Sequence, residues 1–116
     1  MKRQAQIGAL ARQLFEALRS ADLSGVSLAE DAVFFGAMMP KAIHGADEIR
    51  THLAEIAPFL RDIRVLEEVA AADAMAVRAN FEAVNGRNFE GAVFLKCRGE
   101  ALHELRFLFD TRPLFR

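Results

Sequence analysis

The sequence predicts an α+β fold in which a wide antiparallel sheet carries two to three helices on one face. Three observations lead there. Two stretches before residue 60 hold apolar residues at helical spacing, whereas residues 62 to 110 divide into four runs of about ten residues separated by turn signals. Asn85-Gly86 lies between two of these runs and is the strongest short hairpin signal, because a type I′ turn needs positive φ at both central residues. Strands joined by tight turns make a sheet, and helices with nothing else to cover pack on it.

Taken in order, residues 4 to 20 place Ile7, Leu10, Ala11, Leu14 and Leu18 on one side, with Arg12, Gln13, Glu16 and Arg19 mostly on the other. This is an amphipathic first helix. Ser20 to Gly25 breaks the pattern, and Ser27-Leu28-Ala29-Glu30 has the spacing of a capping box, which predicts one short helical turn. Ala32 to Phe35 reads as a short strand by its β-branched and aromatic content, Gly36 to Pro40 as a loop, and Lys41 to His44 as another brief strand. From Gly45 onward Ile49, Leu53, Ile56 and Leu60 keep helical period, with Asp47 and Glu48 in the first turn where the helix dipole favours acids. The rest is a β-meander.

The 116 residues suit one domain spanning 1–116, able to bury roughly two-thirds of the surface of its unfolded chain. The formal charge of -1 comes with no basic cluster, which argues against a nucleic-acid or membrane partner. Lys2 and Arg3 are followed by Gln4, Gln6, Arg12 and Gln13, so no signal-peptide core follows them, and the expected location is the cytoplasm. The lone Cys97 agrees with a reducing compartment. A hydrophobic fraction of 53% leaves room for a lined cavity or a dimer face, or reflects alanine content alone.

The order of these elements carries a resemblance, seen in Phe34-Phe35-Gly36, in the helix start Ile43-His44-Gly45-Ala46-Asp47-Glu48-Ile49, and in Leu105-Arg106-Phe107-Leu108-Phe109-Asp110. Over nearly its whole length the chain resembles the nuclear transport factor 2-like superfamily. That resemblance implies a cone: a curved antiparallel sheet of four long strands plus short N-terminal ones, wrapped round a long helix, with a cavity between them and often a dimer through the outer sheet face. The superfamily includes ketosteroid isomerases, limonene-epoxide-hydrolase-like enzymes, polyketide-cyclase-like proteins and members that only bind or dimerise.

The family's catalytic residues transfer poorly. Phe15 stands where the isomerases carry an oxyanion-binding tyrosine, Gly36-Ala37-Met38-Met39 where their aspartate base lies, and Val93 to Leu95 where a second, protonated aspartate belongs. Isomerase chemistry of that kind needs an ionisable base beside a preorganised oxyanion site, and neither is present at those positions. The hydrolase-like Arg-x-Asp resembles Arg78-Ala79-Asn80 with asparagine for the acid, and the partner aspartate aligns near Phe107, as does the aspartate that polyketide-cyclase-like enzymes commonly use.

Candidate site residues follow from the strand Met75 to Val84, which sets Arg78, Asn80 and Glu82 on one face and Met75, Val77, Ala79 and Phe81 on the other. The polar face meets a cavity, a subunit interface or solvent. In a cavity, Arg78 and Asn80 would bind a polar ligand group; on a free face they would pair with neighbouring strands. His103 alternates with Leu105 and Phe107, so it is expected to point into the cone as a general base or as a bonded core histidine. His44 either lines the cavity mouth or closes a loop. Glu48 and His52, four apart, read as an exposed helix pair rather than a metal site. Cys97 reads as an inert buried thiol. Phe15, Phe34, Met38, Met39 and Phe107 either line the cavity or fill it as core.

The expectation is a cytoplasmic homodimer, joined through its sheet, with a mainly apolar pocket for a small hydrophobic or ring-shaped molecule and no cofactor or metal. His103 and Arg78 would supply any chemistry, with Asn80, Phe15, Phe34, Met38, Met39, His44 and Phe107 as ligand-binding residues. Two functions remain open: a cofactor-independent isomerase, cyclase, hydratase or other lyase working by general acid/base chemistry, and a non-catalytic binding or dimerisation module with a filled cone.

Overall fold

The computed structural model describes residues 2–36 and 39–108. Helix α1 (Lys2–Ser20) is followed by strand β1 (Leu28–Gly36), the short β2 (Ile43–His44), helix α2 (Ala46–Ile56) and a 3-10 turn (Ala57–Phe59). Four long strands complete the described chain: β3 (Leu60–Ala70), β4 (Ala74–Ala83), β5 (Asn88–Arg98) and β6 (Ala101–Leu108). They form one curved six-stranded sheet in the order β2-β1-β6-β5-β4-β3. The four-strand meander is as the sequence predicts.

Two local expectations are corrected. The capping-box turn at Ser27 to Glu30 is instead the start of β1. The Ser27 N–H donates to Gln13 Oε1 at 2.9 Å, and the Ser27 carbonyl accepts from the Leu102 N–H at 2.9 Å, so long-range partners hold the backbone that a local cap would have used. The sheet is also mixed rather than wholly antiparallel. β1 enters beside β6 and runs parallel to it, pairing Phe34 with Leu105 and Gly36 with Phe107.

A hairpin forms at Asn85-Gly86, but its turn is not type I′: Asn85 keeps a negative φ, and Val84 and Asn85, not Asn85 and Gly86, are the central residues, with Gly86 following in the left-handed region. Gly86 has φ +88°, its N–H donates to the Ala83 carbonyl at 3.0 Å, and Asn85 Oδ1 accepts from the Arg87 N–H at 3.0 Å. This tight turn fixes the register in which Phe81 faces Phe89 and Arg78 faces Ala92.

The helices cover one face of the sheet, α1 over β3 to β5 and α2 against β1. Between them and the sheet lies a core that includes Ile7, Leu14 and Leu18 of α1, Ile49 and Leu53 of α2, and Phe34, Phe81, Leu95, Leu105 and Phe107 of the strands. Each such side chain contributes on the order of 1.5–3 kcal/mol by leaving water. Arg19 fastens the end of α1 to the sheet: its Nε donates to the Ile63 carbonyl at 3.1 Å and lies 3.4 Å from Asp62 Oδ1.

Candidate functional site

Strand β4 divides the molecule. Met75, Val77, Ala79 and Phe81 are at most 5% exposed beneath the helices, while Arg78, Asn80 and Glu82 lie on the outer face of the sheet. Arg78 bridges three strands there: Nε meets Glu67 Oε1 at 3.2 Å and Nη1 meets Glu90 Oε1 at 2.9 Å. The hydrogen bond that Arg78 donates to Glu67, then the charge of Glu90, raise the Arg78 pKa further. Asn80 Nδ2 donates to Asn88 Oδ1 at 3.0 Å, and Glu82 lies 3.7 Å from Arg61. The cavity orientation considered for Arg78 and Asn80 is thereby corrected: a strand buries alternate residues, and here the helices claim the apolar set.

His103 is also displaced from its expected place. β5 and β6 pair Lys96 with Glu104 and then Cys97 with Leu102, a β-bulge that leaves His103 as the extra residue. Leu102 and Leu105 take the buried positions, and His103, unpaired between them, is only partly buried. The alternation with Leu105 and Phe107 is broken at that one residue. His44 is exposed on β2 opposite Val33, on the face away from Phe34, so it closes the β1–β2 pair rather than lining the cone. Met38 lies outside the described residues.

Two of the interior aromatic positions converge. Phe15, Phe34 and Phe107 are all at most 5% exposed, and the Phe34 and Phe107 rings meet edge to face with centroids 4.9 Å apart. Half-buried Met39 packs on this cluster, held in the notch left by Gly36: a Cβ on Gly36 would stand 2.7 Å from Met39 Sδ. His52 of α2 completes the rim, its ring tilted at 57° over Phe34 with centroids 5.1 Å apart.

His52 is the residue that the sequence reading passed over. Its pairing with Glu48 drew attention to the exposed side of the helix, yet Ile49, His52, Leu53 and Ile56 form an i, i+3, i+4, i+7 stripe, and that spacing turns His52 toward the core edge. Burial beside the rings lowers its pKa against the opposing charge of Glu55. At neutral pH the imidazole is therefore uncharged, and its ring nitrogens can accept one hydrogen bond and donate another, or take up a proton. Among the described residues no buried side chain is polar or charged, and no group of three His, Cys, Asp or Glu could hold a metal ion. Cys97 is buried and forms no disulfide. No helix among the described residues is long and apolar enough to cross a membrane.

The outer face carries a second feature. An open groove of about 360 Å³ runs between the Glu67–Arg78–Glu90 ladder and the small side chains of Ala76 and Ala92. Beside it Val69, Phe94 and Leu108 are 65%, 40% and 46% exposed.

Comparison with known proteins places the architecture. No family model matches the chain, and no curated protein matches it in sequence. Solved structures do match. An NTF2-like protein of unknown function from Mesorhizobium loti is 16% identical with TM-score 0.82, covering 93% of this chain and 93% of its own. A candidate SnoaL-like polyketide cyclase from Jannaschia sp. CCS1 is 12% identical with TM-score 0.79, covering 98% of this chain and 92% of its own. A steroid delta-isomerase from Pseudomonas aeruginosa is 18% identical with TM-score 0.78, covering 95% of this chain and 84% of its own. Similarity at these identities defines the shared fold.

Proposed function

We propose that this chain, whose fold is the nuclear transport factor 2-like cone, binds a small hydrophobic or ring-shaped molecule at the rim where His52 lies over Phe34. That contact carries the reading. It sets one titratable, uncharged group against an otherwise apolar aromatic cluster, the combination by which pockets fix the orientation of an apolar ligand. Met39 supports it, because a flexible thioether seated in the Gly36 notch can shift to admit a ring where a branched side chain could not.

His52 would accept a hydrogen bond from a hydroxyl of the ligand. In an isomerase, cyclase or hydratase it would act as the general base, since an imidazole held neutral at pH 7 is in the required protonation state. Arg78, Asn80 and His103 stand away from this rim and have no part in the reading. The protein would work in the cytoplasm.

A second reading, a homodimer joined through the outer sheet face, rests on Val69, Phe94 and Leu108, whose exposed apolar surface lies on one side of the sheet. It is compatible with ligand binding and suffices alone for a non-catalytic module. The two sites lie on opposite faces.

Thermal unfolding with 2-naphthol tests the ligand reading. The expected result is a saturable rise in Tm for the native chain, reaching the equivalent of about 2.7 kcal/mol at a hundredfold excess over Kd, and no rise for His52→Phe. A native Tm unmoved by 2-naphthol, or an equal rise in His52→Phe, contradicts the reading.

A further inference from the structure

We propose that the cleft at the β5–β6 turn is a binding site for a small oxyanion, a phosphate or carboxylate group, held by Lys96 and Arg98 with His103 as a turning contact. The cleft, about 620 Å³, has Asp73, Lys96, Arg98 and His103 in its lining. It lies at the end of the sheet, beside the β-bulge that leaves His103 unpaired.

Hydrogen-bonding capacity in the cleft is weighted toward donors. Lys96 Nζ has Glu104 Oε2 at 3.8 Å, an ion pair too long for a hydrogen bond, so its N–H groups are unspent. Arg98 pairs with Asp31 through Nη2 alone, which leaves Nε and Nη1 available. Lys96, Arg98 and Asp31 are solvent-exposed, so water and salt weaken both pairs and a bound anion can replace the carboxylates. Asp73 is the one acid in the lining; Lys96 and Arg98 outnumber it.

His103 supplies the independent observation. Its Nδ1 is sealed from solvent and has no hydrogen-bond partner, although the side chain as a whole is partly exposed and borders the cleft. A buried nitrogen left unpaired forfeits a hydrogen bond, and native structures rarely retain one without reason. A half-turn of the ring about Cβ–Cγ exchanges Nδ1 with Cδ2, putting carbon in the sealed position and nitrogen on the opposite edge. An oxygen acceptor in the cleft rewards that turn. The anion thus gains an N–H donor, and the apolar position gains a carbon.

The test is a titration of the full chain with inorganic phosphate at constant ionic strength, followed by the NMR ring signals of its histidines. His103→Gln assigns the His103 signal. The expected result is a saturable shift confined to His103, with half-saturation raised at least about tenfold in Arg98→Gln through loss of a charged hydrogen bond, and raised also in Lys96→Gln. Both substituted side chains are exposed, so the fold tolerates the changes. A shift that grows linearly without saturating, that appears equally at His44 and His52, or that survives both substitutions overturns the proposal.

Discussion

The two faces of strand β4 have the same alternation and opposite fates. Its inner residues, Val77, Ala79 and Phe81, are at most 1% exposed, and stability there comes from apolar area removed from water. Its outer residues, Arg78, Asn80 and Glu82, are satisfied by side chains on neighbouring strands, through ion pairs and amide bonds that remain in contact with solvent. Periodicity states that two faces differ. Which of them encloses a site depends on what covers it, and here both helices lie over the apolar one.

Breaking the inner face should cost most. Phe34→Ala removes a ring that touches both Phe107 and His52 and should destabilise the protein by about 3–5 kcal/mol, measurable as a lowered midpoint in urea unfolding. Next comes the hairpin that holds both faces in register. Gly86 has φ +88°, so Gly86→Val should cost about 1–2 kcal/mol by the same assay, even though open space surrounds it.

Arg78→Met, on the outer face, should lower the urea midpoint far less than Phe34→Ala, and the difference should shrink in high salt because the Glu67 and Glu90 pairs are exposed. A loss as large as that of Phe34→Ala would place the Arg78 ladder inside the dimer contact rather than beside the Val69, Phe94 and Leu108 surface. Phe94→Glu sharpens the same point: analytical ultracentrifugation should show dimer for the native chain and monomer for the variant, with the fold intact.

The smallest effect is the pH dependence from His52. Its folded pKa is lowered, so the unfolded chain binds the proton more readily; the stability linked to His52 is complete above the unfolded value of about 6.5 and is lost as pH falls below it. Urea midpoints between about pH 5 and 8 should therefore rise with pH, and His52→Phe should flatten that slope. An unchanged slope would separate the proton linkage from His52.

Much of the architecture is legible in the residues. Helical stripes, the Asn85-Gly86 turn and the ten-residue strand spacing are local signals, and each corresponds to an element at nearly the expected place. What the sequence could not show depends on partners far along the chain. Ser27 has a capping box's spacing, yet Leu102 and Gln13 hold its backbone in β1. His103 alternates with Phe107 on paper, yet one bulge opposite Lys96 and Cys97 leaves it unpaired and breaks that alternation. His52 was hidden for a different reason: its apolar stripe with Ile49, Leu53 and Ile56 is visible, but its spacing from Glu48 offered a second reading of the same helix.

Amide chemical-shift mapping with 2-naphthol decides most directly between the two faces. Saturable shifts are expected around Phe34, Gly36, Met39 and His52, with Arg78, Asn80 and Glu90 unmoved. Shifts centred on Arg78, Asn80 and Glu90 would contradict the rim site and return the site to the outer face of the sheet.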